Sequence, residues 1–330
     1  ANGVGAIHLR RLATVLSQFS VKITNDDLDT PGQLNKNCGA DYVKTTQSAP
    51  PSIQLQPNGR YASFDGDADR IVYYYQDDQG VFKLLDGDKI AGLAAMFLKE
   101  LVQTAGLNLK VGVVQTAYAN GNSTAYLTKV LQVPVSCVQT GVKHLHHEAE
   151  RYNVGVYFEA NGHGTVLFNS EAQSIVQQAQ PSTPAQTLAL EQLKALMDLI
   201  NQTVGDAISD MLLVETILTH RQWTCSMWDQ AYTDLPSRLV KVVVENRFIF
   251  ETTKADTQLV QPKGLQARIN GIVSDYTNGR SFVRPSGTED VVRVYAEAAT
   301  RAECDQLAYR VAGMVFDHAG GKGTRPTEFL

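Results

Sequence analysis

Three carboxylates on alternate positions, closed by a guanidinium, stand in the run Phe64-Asp-Gly-Asp-Ala-Asp-Arg70. In an extended segment alternate side chains share a face, so Asp65, Asp67 and Asp69 are expected to converge on one hard divalent cation, with Mg²⁺ the natural guest. The run is no EF-hand, because Arg70 stands where that loop needs glycine and Gln76 where it needs a bidentate glutamate. Phe64 ahead of it and Ile71, Val72 and Tyr73 to Tyr75 behind it put the loop at the end of a buried strand. There, three carboxylates repel one another unless a cation or Arg70 neutralises them.

Three further polar loops bear chemistry. In Gln139-Thr-Gly-Val-Lys-His-Leu-His-His147 a Thr-Gly turn opens a helix with Lys143 in its first turn, a combination of amides, helix dipole and ammonium suited to a phosphate. Glu159-Ala-Asn-Gly-His-Gly164 follows an apolar strand, at the carboxyl end where ligands of open α/β sheets gather. Glu159 and Asn161 suit vicinal sugar hydroxyls, and His163 suits proton transfer near neutral pH. Arg284-Pro-Ser-Gly-Thr-Glu-Asp290 offers a bidentate fork from Arg284, hydroxyls from Ser286 and Thr288, and close backbone approach at Gly287. With Arg293 on the next strand it reads as a phosphate clamp. Each of the three also has a plain reading, as solvated helix-end residues or as ordinary turns.

The elements that must position these loops alternate in type. A glycine-rich turn over residues 1–6 feeds a helix with Ile7, Leu9, Leu12, Val15, Leu16 and Phe19 along one stripe. Such a turn normally follows a buried strand, so a longer natural N-terminus is expected. Val21 to Thr24 reads as a strand, as does Ile71 to Gln76 after the acidic loop. Asp86-Gly-Asp88 starts a helix carrying Ile90, Leu93, Ala94, Phe97, Leu98 and Leu101. Strands at 110–115, 134–138 and 154–158, with helices between, predict a second α/β unit with a largely parallel sheet. Helices over 170–178 and from 185 to about 219 lead into strands at 239–244, 282–284 and 291–298, with helices at 264–276 and 301–318. The expectation is two successive α/β sheet domains and a smaller α+β domain, bounded at 1–84, 85–205 and 206–330.

Composition narrows the classes. The 330 residues carry a formal charge of −5 and are 43% hydrophobic, which points away from nucleic acid and anionic lipid as partners. Cys38, Cys137, Cys225 and Cys304 form no Cys-x-x-Cys pair, and no apolar run is long enough to span a bilayer. A cytoplasmic protein, neither membrane-bound nor secreted, is the expectation.

Together the acidic, Glu-Ala-Asn-Gly-His-Gly and Arg-Pro-Ser-Gly-Thr-Glu-Asp loops, in this order, resemble the metal-, sugar- and phosphate-binding loops of the α-D-phosphohexomutases. With Thr-Gly-Val-Lys-His-Leu-His-His and Val-Val-Arg-Val-Tyr-Ala-Glu-Ala, the likeness is to the eukaryotic phosphoacetylglucosamine mutase branch. The resemblance implies an enzyme that interconverts N-acetylglucosamine 6-phosphate and 1-phosphate through a bisphosphate, on the route to UDP-N-acetylglucosamine. It implies that Asp65, Asp67 and Asp69 hold Mg²⁺, with Arg70, Lys143 and His163 at the reacting centre. Glu159 and Asn161 would hold sugar hydroxyls, while Arg284, Ser286, Gly287, Thr288 and Arg293 would clamp the phosphate that is not reacting.

The family's Thr-Ala-Ser-His-Asn-Pro nucleophile loop does not occur in these 330 residues. The resemblance therefore implies domains two to four of a four-domain enzyme, inactive without the phosphoserine domain as partner. Two alternatives remain: a non-catalytic sugar-phosphate-binding fragment, and a haloacid-dehalogenase-type phosphatase with Asp65 as nucleophile. The second fits poorly, since Asp65 follows Tyr61-Ala-Ser-Phe64 rather than an aliphatic run.

Overall fold

The computed structural model describes residues 1–16, 20–287 and 289–330. Phe19, expected in the first helix, and Thr288, expected in the clamp, lie outside the described residues. The chain is mixed α/β and divides into two compact units: residues 1–115, 125–136 and 145–232, and residues 116–124, 137–144 and 233–330.

The first unit opens with α1 (Gly5–Val15) and α2 (Ala40–Thr46), followed by an antiparallel meander of β1 (Tyr61–Phe64), β2 (Ile71–Gln76) and β3 (Phe82–Leu85). Central β2 is buried on both faces: Ile71, Tyr73 and Tyr75 enter the main core, while Val72 and Tyr74 pack on Ala40 and Val43 of α2. Two covered faces explain why this strand is a continuous β-branched and aromatic run rather than an alternating one. The acidic loop is the connection between β1 and β2, whose register runs Phe64↔Ile71.

The strand expected at Val21 to Thr24 does not form. The segment has no ladder partner among the described residues and ends at Asn25, which adopts a left-handed φ of 54°. Four residues without an edge to pair with have no ladder bonds to offset the entropy of straightening them.

Helix α3 (Gly87–Thr104) starts on the Asp86 N-cap, whose side chain accepts from the Asp88 amide, and all six of its expected apolar positions are buried. Its Lys89 is buried too, with Nζ 2.9 Å from Asp229 Oδ1 and bonded to the carbonyls of Asp229 and Tyr232. A buried ammonium persists only with its donors filled in this way. Next in chain order come β4 (Val111–Thr116), α4 (Gly121–Ala125), a π-helical turn over Tyr126–Val130, β5 (Val135–Val138), α5 (Val142–Ala149), β6 (Val154–Phe158) and β7 (Gly164–Phe168), of which Thr116, α4 up to Thr124, Cys137 and Val138, and Val142 to His144 count with the second unit. The sheet order is β5-β4-β6-β7, with β4 and β6 parallel and β6 and β7 antiparallel. The parallel β4–β6 pair is as expected, and β7 adds an antiparallel edge strand that was not: Glu159 to His163 is a hairpin connection, turned at Gly162 with φ +91°.

Helices α6 (Ser170–Gln178), α7 (Pro184–Leu199), α8 (Ala207–Arg221) and α9 (Cys225–Asp229) complete this unit. Asp206 caps α8 by accepting from the amides of Ile208 and Ser209. One turn on, Asp210 is 1% exposed, its Oδ2 has no hydrogen-bond partner among the described residues, and burial followed by the Asp206 charge pushes its carboxyl well up. The folded chain therefore keeps a proton that the unfolded chain releases near 3.8, and folding stability falls as pH rises from there towards the folded value. Asp210→Asn removes that slope. Urea midpoints of the two proteins should diverge in favour of the variant as pH rises above about 4; a difference constant with pH would contradict the assignment.

The second unit has β8 (Ser237–Val243), the hairpin β9 (Glu251–Thr253) and β10 (Gln258–Gln261), α10 (Leu265–Val273), β11 (Arg280–Pro285), β12 (Val291–Glu297) and α11 (Arg301–His318). Its sheet is antiparallel in the order β11-β12-β8. Val240, Val242, Val292 and Val294 pack with Leu307, Val311 and Val315 of α11. A capping box between Thr300 and Glu303 fixes where α11 begins. Among the described residues no helix is long and apolar enough to cross a membrane.

Candidate functional site

The acidic loop gathers its carboxylates by turning rather than by staying extended. Residues 66–68 bend, Ala68 takes a left-handed φ of 61°, and one oxygen from each of Asp65, Asp67 and Asp69 lies within 4.8 Å of the others. Asp65 organises the turn, its Oδ1 accepting the amides of Asp69 and Arg70 at 3.1 Å each. The expectation of convergence holds, and the expected cause, strand alternation, is replaced by a carboxylate-bridged loop.

Electrostatics in this loop call for a cation. Burial first, and then the neighbouring Asp69, push the Asp65 carboxyl up to about 7. Asp69 Oδ1 is buried with no hydrogen-bond partner among the described residues, and Arg70 Nε lies 3.6 Å from both Asp65 and Asp69, beyond hydrogen-bond reach. A hard divalent ion among three carboxylate oxygens satisfies the orphaned oxygen and removes the repulsion together. The donor set therefore fits Mg²⁺.

The sugar-type loop is docked against this one. Ile71 N donates to Gly162 O at 3.1 Å, Arg70 and His163 form a β-bridge, and His163 Nδ1 lies 3.2 Å from Asp69 Oδ2. Within the loop, Asn161 Oδ1 accepts the His163 amide at 3.0 Å and its Nδ2 reaches Glu159 Oε2 at 3.4 Å. The first turn of α3 closes the other side, where a Cβ on Gly87 would stand 1.9 Å from Glu159 O. Asp65, Asp67, Asp69, Arg70, Glu159, Asn161 and His163 are thus brought together in one unit.

Arg284, Ser286, Gly287, Arg293 and Lys143 belong to the second unit. The β11–β12 register sets Arg284 opposite Arg293, and β12–β8 sets Arg293 opposite Lys241, so three cations cross the sheet in one row. Like charges directly opposed are unfavourable unless an anion lies over them. Lys241 pairs with Glu289 at 2.6 Å, and Arg284 Nε with the buried Asp256 at 3.2 Å. Arg293 is exposed with no ion-pair or hydrogen-bond partner among the described residues. The turn itself is held by Ser286 N to Val291 O at 2.9 Å and by Arg247 to Gly287 O at 3.2 Å, and a Cβ on Gly287 would meet open space. Lys143 is exposed in the first turn of α5.

Five residues were not singled out by sequence. Asp41 bonds Arg70; Asp256 bonds Arg284, the Thr140 amide and Thr252; Arg247 and Lys241 brace the turn over residues 284–290. Tyr118 is the fifth: burial raises its phenol, against the opposing pull of Arg284 and then Arg293. Only Lys241 left a trace, as the polar position of an alternating strand. The others depend on tertiary contacts.

The sequence matches three family models: phosphoacetylglucosamine mutase AMG1 domain II over residues 1–72, domain III of the same protein over 86–223, and the phosphoglucomutase/phosphomannomutase C-terminal domain over 239–314. It is 54% identical over 328 residues to the phosphoacetylglucosamine mutase of Sus scrofa and 53% to that of Homo sapiens, covering 99% of this chain and 60% of each relative. The crystal structure of Aspergillus fumigatus N-acetylphosphoglucosamine mutase in complex with GlcNAc-6P and magnesium superposes with a TM-score of 0.93 at 58% identity, over 96% of this chain and 64% of that one. A product complex of N-acetylglucosamine-phosphate mutase, a member of the alpha-D-phosphohexomutase superfamily, gives 0.93 at 52% identity over 96% of this chain and 60% of that one. The chain spans about three fifths of the length of the curated relatives it matches.

Proposed function

Since the chain belongs to the phosphoacetylglucosamine mutase family of the α-D-phosphohexomutases, we propose that it supplies the metal, sugar and distal-phosphate sites for interconverting N-acetylglucosamine 6-phosphate and N-acetylglucosamine 1-phosphate. The observation that supports this best is the docking of two loops: the three converging carboxylates and the Glu159–His163 hairpin are joined through the 3.2 Å contact of His163 with Asp69.

In this reading Asp65, Asp67 and Asp69 hold Mg²⁺, which when bound neutralises charge developing on the transferring phosphoryl group. Arg70, fixed beside them, adds a second positive charge to that group. Glu159 and Asn161 accept and donate to ring hydroxyls, orienting the sugar at the carboxyl end of β6. His163, held by Asp69, stands where a sugar hydroxyl gives up or regains its proton. Arg284, Arg293, Ser286, Gly287 and Thr288 grip the phosphate that is not reacting, and Lys143 adds an ammonium for a phosphate oxygen. A bisphosphate that presents either end in turn lets one clamp serve both directions. The product feeds synthesis of UDP-N-acetylglucosamine, a cytoplasmic process.

The phosphoryl donor of this reaction is the serine of a Thr-Ala-Ser-His-Asn-Pro loop, a string these 330 residues do not contain. The polypeptide of these residues alone is accordingly expected to bind N-acetylglucosamine 6-phosphate in the presence of Mg²⁺ without converting it. Titration calorimetry and a steady-state conversion assay on the same sample check both halves. Absence of sugar-phosphate binding would defeat the site assignment, and turnover at the rate of a complete family enzyme would defeat the role given to the serine.

A further inference from the structure

We propose that Asp41 is a positioning residue for the cation site, holding the Arg70 guanidinium off the carboxylates that the ion must occupy; the inference rests on the metal reading given above. Two buried atoms of opposite charge, Arg70 Nε and Asp69 Oδ1, both lack a hydrogen-bond partner among the described residues although they lie only 3.6 Å apart. Arg70 Nε is the same distance from Asp65 Oδ2. A shift of under an ångström would turn either approach into a direct charge-assisted hydrogen bond, and the guanidinium would then cap the ligands. The opposing hold comes from Asp41, in the first turn of α2, whose Oδ2 and Oδ1 take Arg70 Nη1 at 2.9 and 3.1 Å. α2 is fixed in its turn: Ala40 and Val43 are buried against β2, and Lys44, one turn after Asp41, pairs with the Asp86 N-cap of α3. Asp41 therefore pulls from a rigid base, and Arg70 stays beside the carboxylates without closing on them.

The Asp41 side chain is 63% exposed, so Asp41→Ala is expected to fold normally. Removing it lets Arg70 compete with the ion, weakening divalent binding by about tenfold, the equilibrium weight of one charge-assisted hydrogen bond. A simple loss of negative charge near the site would also weaken binding, and a double-mutant cycle separates the two. Mn²⁺ binding, read by water-proton relaxation on the 330-residue chain, is measured in 0.3 M KCl, where charges beyond about 6 Å are screened.

Asp41→Ala is expected to cost about tenfold when Arg70 is present and less than about threefold in an Arg70→Ala background, because no guanidinium is left to misplace. Equal losses in both backgrounds, or no loss in either, overturn the inference while leaving the metal site standing. Failure of the unsubstituted chain to bind Mn²⁺ at millimolar concentration overturns the metal reading and this inference with it.

Discussion

Asp67→Asn should weaken Mg²⁺ or Mn²⁺ binding by about a hundredfold, since the number of charged oxygen ligands sets affinity over decades at such sites. It should leave thermal stability in EDTA unchanged. Asp67 is the informative member of the trio because it is exposed and bonds no backbone amide among the described residues, whereas Asp65 is 7% exposed and carries the amides of Asp69 and Arg70. A change at Asp65 mixes ligand loss with loop rearrangement. At Asp67 the fold has little at stake, so lost affinity reports coordination. Calorimetric titration and a melting curve on one preparation give both numbers, and a variant that binds within threefold of the unsubstituted chain would exclude Asp67 as a ligand.

The loop shows how far local sequence reasoning reaches. The alternate spacing predicts that Asp65, Asp67 and Asp69 meet, and they do, although not by the strand alternation from which that was argued. The path actually taken, through a left-handed Ala68, was not legible: alanine gives no signal for positive φ. The hairpin β9–β10 was missed for a similar reason. Its turn runs Lys254, Ala255 and Asp256 at φ 49°, 55° and 67° without a glycine to mark it, and it delivers Asp256 to Arg284. Helices fared better. α3 and α11 each combine an N-cap of Asp or Thr with a sustained apolar period, so both local chemistry and burial point to one start.

Partners of functional side chains form the other illegible class. Arg70 and Arg284 were read as binding groups from their loops, yet each is oriented by an acid distant in sequence, Asp41 and Asp256 respectively. Such pairs are set by which elements pack together, and a lone Asp in a short helix or turn has no periodicity to reveal it. The row Arg284–Arg293–Lys241 lies between these extremes. Once the strand register is known its placement follows at once; before that, Arg284 and Arg293 are tied together only by their shared loop, and Lys241 is a single charge on a neighbouring strand.

Gly162→Ala should be the most disruptive single-methyl change in the first unit, costing roughly 3 kcal/mol from backbone strain and overpacking together. Gly162 sits at φ +91°, and an added Cβ would stand 1.9 Å from Ile71 O and 2.6 Å from Ile71 C. Neither obstacle is a flexible side-chain tip, so the sugar-type hairpin would have to lift away from β2. That movement breaks the 3.1 Å bond from Ile71 N to Gly162 O and draws His163 off Asp69. Gly271→Ala provides the control: the residue lies on the exposed side of α10 with nothing near its would-be Cβ, and alanine there should stabilise by up to about 1 kcal/mol. Melting should thus show Gly162→Ala lower by roughly 10 °C and Gly271→Ala level or slightly higher. Mn²⁺ titration should then find the Gly162 variant weakened at a site it does not touch. If Gly162→Ala melts with the unsubstituted chain, the hairpin is not braced on β2, and the link by which the sugar-binding and metal-binding loops share one geometry is lost.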